Sequence, residues 1–90
     1  MVMMRPSIKQ FIMDQFLPGE NPDALLADTP LITGGILDSL AILRLVEFLE
    51  KEFAIEIEAH EADVDNFNSL ERMNRFVDEK LTSQQKGEPN

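Results

Sequence analysis

Residues 34 to 43 read GGILDSLAIL and place one hydroxyl, Ser39, between the carboxylate of Asp38 and the apolar Leu40. Three kinds of chemistry put a serine at a turn into a helix. The hydroxyl can attack as a nucleophile, it can cap the helix, or it can be an attachment point. A nucleophilic serine needs a base that a third group holds in place. The chain has one histidine, His60, and no cysteine. The choice therefore rests on what surrounds Ser39.

Leu37, Asp38, Ser39 and Leu40 resemble the GDSL signature of a hydrolase family, with leucine in place of its glycine. No aspartate precedes His60 at that family's Asp-x-x-His spacing, and 90 residues are too few for its fold. Nucleophile, base and oxyanion donors are not assembled, so hydrolysis is set aside. Capping alone accounts for a serine at this position. Attachment fits as well. A phosphodiester in the first helical turn sits at the positive end of the helix dipole, worth about 0.3–1 kcal/mol, and Asp38 opposes it by repulsion. Two other candidate sites fall away. Residues 63–74 begin like a calcium loop, but Phe67, Asn68 and Asn74 stand where an oxygen ligand, a glycine and a bidentate glutamate are needed. His60 stands alone among acids and reads as a surface residue, with no metal set around it.

The elements that must position Ser39 are helical, and no stretch has strand periodicity. RPSIKQFIMDQFL carries Ile8, Phe11, Ile12, Gln15 and Phe16 at helical spacing, with Pro6 near its start. PGENP stops it. Residues 18–37 read as a long loop whose Leu25, Leu26, Leu31, Ile32, Ile36 and Leu37 pack down in part. The second helix is expected from Ser39 to Phe53 with Asp38 as its N-cap. Its core stripe is Ile42, Val46, Leu49 and Phe53, with Leu45 beside it. A short helical turn is expected near residues 60–65. The last helix opens at NSLE, where Asn68 and Glu71 have capping-box spacing, and it buries Leu70, Met73, Phe76, Val77 and Leu81. The MVMM start and the TSQQKGEPN tail read as disordered or frayed. The fold class is all-α: a small four-helix bundle with three long helices, one short helix and a long first loop.

Ninety residues with 43% hydrophobic content make one compact domain, over residues 1–90 with a core of about 5–81 and a polar tail at 82–90. Seventeen Asp and Glu against 8 Lys and Arg give a net charge of -9. That surface repels nucleic acid and anionic membranes and suits a partner with a basic patch. No run has signal-peptide or transmembrane character, so the expected place is the cytoplasm.

Taken together, GGILDSLAILRLVEFLEKEFAIEIEAHEADVDNFNSLERMNRFVDEK closely resembles the acyl and peptidyl carrier proteins. The resemblance is carried by DSL, by LVEFLEKEFAIEI after it, by the acidic connector and by the closing NFNSLERMNRFV. It is strong over residues 34–80 and looser over 5–33. It implies a four-helix bundle whose motif serine, here Ser39, receives 4′-phosphopantetheine from coenzyme A. It implies a phosphopantetheinyl transferase that installs the arm, with Asp38 and Leu40 positioning and presenting the serine. The arm holds cargo as a thioester, so the chain is a shuttle and not an enzyme. Ile36, Leu37, Leu43 and Val46 are expected to line a cleft for short or medium acyl chains.

The outer face of the second helix holds Leu40, Arg44, Glu47, Phe48 and Lys51. Leu40 and Phe48 either pack on the first loop or the short third helix, or serve as anchors for partner enzymes. Residues 38–65 hold nine acids against two bases, most of the chain's negative charge. Fatty-acid-synthase carriers have acids two and five residues after the serine, where this chain has Ala41 and Arg44. A cation there repels a patch built for an acid. The departure favours a discrete carrier of a specialised pathway, polyketide or nonribosomal in type, loaded by an acyl or aminoacyl ligase and unloaded by downstream synthases or transferases. The chain is expected to act as a monomer. A D-alanyl carrier and an unmodified acidic interaction module remain the alternatives.

Overall fold

The computed structural model describes residues 4–86. The first three residues of the MVMM start, 1–3, and the last four residues, 87–90, lie outside the described residues. Four α-helices follow one another: α1 (Pro6–Phe16), α2 (Ser39–Phe53), α3 (Val64–Phe67) and α4 (Leu70–Lys86). Two 3₁₀ turns, Pro22–Ala24 and Ala59–Glu61, lie in the connections. There is no strand among the described residues. The fold is thus the small helical bundle that periodicity implied.

α1 begins at a proline, which needs no N–H partner and has a φ suited to a first turn. It buries Ile8, Ile12 and Met13. Gln15 does not join that stripe as expected. It is exposed, and Met13 takes the buried place instead. Both follow from the helix angle, which puts the core side between Ile8, Ile12 and Met13.

α2 starts and ends where expected. The Asp38 carboxylate accepts from the Ala41 N–H at 2.8 Å and caps the helix. Ala54 closes it in a left-handed conformation, φ 54°, with its N–H on the Glu50 carbonyl. Its core face is rotated from the expected one. Ala41, Leu45 and Leu49 are the buried residues, while Ile42, Val46 and Phe53 are half-buried. Ala41 is small enough for α2 to pack closely there, which turns Leu45 inward and leaves Ile42 and Val46 at the border.

The long loop is anchored at its far end. Leu31 donates to the Asn68 carbonyl at 2.7 Å, and the Ile32 and Thr33 N–H groups donate to the Asn68 side-chain oxygen at 2.8 and 3.0 Å. Leu31 then accepts from both Ile36 and Leu37 at 2.9 Å. The chain folds back on itself and buries Leu31 and Leu37 just before Ser39. Gly34 permits this. A Cβ there would sit 2.2 Å from the Pro30 carbonyl oxygen. Gly35 turns with φ 84°, which side chains disfavour. Of the loop's other apolar residues, Leu25 is buried and Leu26 is exposed.

Asn68 therefore does not form the expected capping box with Glu71. Its side chain belongs to the loop, and the cap of α4 is Ser69, whose hydroxyl accepts from the Arg72 N–H at 3.1 Å. The Glu71 N–H finds the Ala27 carbonyl at 3.0 Å. The stripe Leu70, Met73, Phe76 and Val77 is buried as expected, with Leu81 packed at its edge. α4 also continues through residues 82–86, which the composition marked as a frayed tail. Gln84 explains the extension: it accepts from the Glu56 N–H at 2.9 Å and donates to the Glu56 carbonyl at 3.0 Å.

One core joins these elements. Ile8, Ile12, Leu31, Leu45, Leu49, Phe67, Met73 and Val77 are fully buried. Phe67, at the end of α3, meets Phe76 of α4 at a ring distance of 5.7 Å. Buried Asn74 is satisfied on both sides, by the Arg5 N–H at 2.6 Å and the Leu70 carbonyl at 2.8 Å. Arg5 also pairs with Asp78, so the entry to α1 is tied to α4.

Candidate attachment site and its flanking surfaces

Ser39 is the first residue of α2 and is exposed. Its position follows from two local constraints. The Leu31–Leu37 turn delivers the chain to α2, and the Asp38 cap fixes where helical geometry begins. Asp38 makes its bond to the Ala41 N–H, so its carboxylate is not placed on the serine. No hydrogen bond engages the Ser39 hydroxyl among the described residues. An exposed, unengaged hydroxyl at the positive end of a helix dipole fits a phosphodiester bond to a prosthetic arm.

An apolar groove of about 320 Å³ opens beside Ser39. α2 lines it with Ile42, Leu43 and Val46, and the connector supplies Ile57, Glu58, Ala59 and Ala62. Leu43 and Val46 stand where the sequence placed them, in a cleft near the serine. Leu37 does not, because it is buried in the core. Ile36 does not either, because the turn carries it to the opposite side of α2. The connector wall was not foreseen. Ile55 and Ile57 alternate with Glu56 and Glu58, and that pattern was the available signal: Ile55 enters the core and Ile57 borders the groove.

The wall is fastened by charge. Glu61 accepts from Lys80 of α4 at 2.7 Å and from the Glu58 N–H at 2.8 Å. The bond from Lys80 holds the Glu61 carboxyl below its ordinary value of 4.5, against the opposing effect of desolvation, with the Glu58 N–H adding to the lowering. Asp63 then caps α3 through the Asn66 N–H at 3.1 Å. His60 is exposed in this segment, and the described residues contain no cluster of three or more metal-ligating side chains.

On the other side of α2 lies a trench against α1. One part, about 320 Å³, is lined by Gln15, Phe16, Ile36, Asp38, Leu40, Ala41 and Arg44. The next, about 510 Å³, is lined by Phe11, Gln15, Arg44, Glu47, Phe48 and Lys51. All five residues assigned to the outer face of α2 are therefore here. Leu40 is 59% exposed, while Phe48 is half-buried and stacks on Phe11 with ring centroids 4.2 Å apart. Phe48 thus packs on α1, not on the loop or α3. Ala41 is buried, so it offers no exposed handle on this side of α2.

No family profile matches the chain. It is 37% identical over 75 residues to the "Probable acyl carrier protein PigG" of a Serratia species, a match spanning 83% of this chain and 85% of that protein. This chain belongs to the acyl carrier proteins. It is accordingly a carrier and not an enzyme. Carriers of this family generally bear a phosphopantetheine arm and work with synthase and ligase enzymes. The fold is also similar to a chain in a solved structure described as "Crystal structure of FAD-dependent dehydrogenase". That likeness has a TM-score of 0.70 at 28% identity and covers 78% of this carrier and 97% of the matched chain. No helix among the described residues is long and apolar enough to cross a membrane.

Proposed function

We propose that this carrier bears 4′-phosphopantetheine on Ser39 and shuttles an acyl or aminoacyl group as a thioester between enzymes of a specialised biosynthetic pathway. The observation that carries the reading is the exposed, unengaged Ser39 hydroxyl at the start of α2, bordering an apolar groove. In the loading step the serine oxygen forms an ester bond to the phosphopantetheine phosphorus of coenzyme A. The pyrophosphate link breaks, adenosine bisphosphate leaves, and the hydroxyl proton passes to the transferase. Once attached, the arm supplies the thiol that holds cargo. Asp38 keeps the first turn of α2 formed, and exposed Leu40 gives the transferase an apolar hold beside the serine.

The groove of about 320 Å³ favours a small cargo. It lies at the lower end of small-molecule clefts, which run from about 300 to 1,000 Å³. A short acyl chain or a small aminoacyl group fits between Ile42, Val46 and Ile57. That fit, together with Arg44, supports a specialised role over housekeeping fatty acid synthesis, with an acyl or aminoacyl ligase as the loading partner and a synthase or transferase downstream. The FAD-dependent dehydrogenase named for the similar solved structure makes an enzyme of that kind a third partner class in this reading. We read the whole chain as one carrier domain that acts as a monomer in the cytoplasm, where coenzyme A is at hand.

The test is intact mass after incubation with coenzyme A and a broad-specificity phosphopantetheinyl transferase. The native chain gains one phosphopantetheine and Ser39→Ala gains none. A folded native chain that gains nothing would overturn the reading in favour of an unmodified interaction module.

A further inference from the structure

We propose that the trench between α1 and α2 docks a protein partner that places a carboxylate on Arg44 and an apolar side chain on Leu40. The proposal rests on the carrier reading and names the chemistry of the partner on this face.

The two sides of α2 differ in how their cations are engaged. Behind the groove, where the connector and α3 meet α4, Lys80 is bound to Glu61, and the Arg72 guanidinium donates to the Asp65 carbonyl at 3.2 Å. On the trench side, Arg44 and Lys51 are exposed and have no ion-pair partner among the described residues. Glu47 lies three residues from Arg44 and four from Lys51, spacings that allow pairing on a helix, yet it pairs with neither. Arg44 borders both parts of the trench. Around it stand the exposed Leu40, the half-buried Phe16, Ile36 and Phe48, and the polar Gln15.

That combination suits a protein surface. A planar guanidinium takes a carboxylate through two parallel hydrogen bonds, and it does so best where apolar neighbours exclude water. Arginine beside an apolar anchor is the composition that dominates interface energetics. The chain's charge of -9 decides what Arg44 does there. The long-range field attracts a basic partner, so a single cation cannot steer the encounter. It acts at contact, where it selects the partner whose acid falls in register and rejects one that presents a base. The partner is thus basic where it meets the acidic connector and acidic where it meets Arg44.

The experiment uses the full chain, isotope-labelled for NMR, and two synthetic amphipathic helical peptides. Both carry the same leucine stripe; glutamates flank it in one and lysines in the other. The glutamate peptide is expected to shift the amides of Gln15, Phe16, Leu40, Arg44 and Phe48. Arg44→Glu is expected to weaken that binding about tenfold or more, while Arg44→Lys keeps it within about threefold. The lysine peptide is expected to shift residues 58–65 instead. A glutamate peptide that leaves the trench amides unmoved, or binds Arg44→Glu as well as the native chain, overturns the proposal. Trench shifts that grow with protein concentration alone assign the face to a second copy and overturn it too. Loading of Ser39, read by mass, tests the carrier reading without either peptide, and Arg44→Glu leaves Leu40 in place for the transferase. A loaded chain with an inert trench loses only this proposal.

Discussion

α2 presents two surfaces that meet at Ser39, and they are built differently. Toward the connector, Ile42 and Val46 face a wall of 3₁₀ turn and short helix that is held by Glu61, Lys80 and the Asp63 cap. Toward α1, Phe11 and Phe48 stack ring on ring, and charged side chains stand free above them. The first surface is fastened by polar bonds over an open apolar floor. The second is fastened by apolar packing under open polar groups. Breaking one fastening should therefore leave the other in place.

The largest effect should come from the turn that serves both surfaces. Gly34→Ala drives a methyl group into the Pro30 carbonyl, so the Leu31–Leu37 turn must open. A loss of about 2–3 kcal/mol is expected in chemical denaturation, with amide shifts on both sides of Ser39. Phe48→Ala should separate the surfaces. It removes the stack on Phe11 and is expected to cost about 2 kcal/mol while leaving the amides of residues 57–62 in place. If those amides move as much as the trench, the two surfaces are not independent and the comparison fails.

Lys80→Ala is the reciprocal test. The pair with Glu61 is only partly buried, so a loss of about 0.5–1 kcal/mol is expected, with faster hydrogen exchange in the connector and none in α1. Acid should imitate this change more weakly. The Glu61 carboxyl titrates lower when folded than when unfolded, so its stabilisation is present above pH 4.5 and is lost as pH falls through the lowered folded value. Denaturation midpoints taken across that window should fall less steeply in Lys80→Ala than in the native chain.

What could be read in advance was local. The start of α2 followed from an aspartate before an apolar period, and the end of α1 from a proline and glycine run. The buried stripe of α4 followed from spacing alone. What escaped depended on partners far along the chain. Asn68 has the right spacing for a cap, but its side chain is claimed by Ile32 and Thr33, 35 residues and more away, so Ser69 caps instead. Phe48 read as an outer residue because its partner, Phe11, lies on another helix. The core face of α2 was misplaced by one position because Ile42, Leu45, Val46 and Leu49 are all apolar. Only packing decides which of such neighbours turns inward. Ser39 was singled out less by its own ten residues, which a plain helix cap explains as well, than by the longer run from Gly34 to Lys80 around it.

The last turn of α4 bears on how the protein can be handled. Gln84 meets the backbone of Glu56 as a β-strand neighbour would, one donor and one acceptor at a time. Residue 56 leads directly into the segment that walls the groove. An affinity tag or a downstream domain fused close behind Gln84 would therefore pull on that wall, and trimming the chain before it would let the wall go slack. A fused version should keep the helix through residue 86 and attach its addition by a flexible spacer.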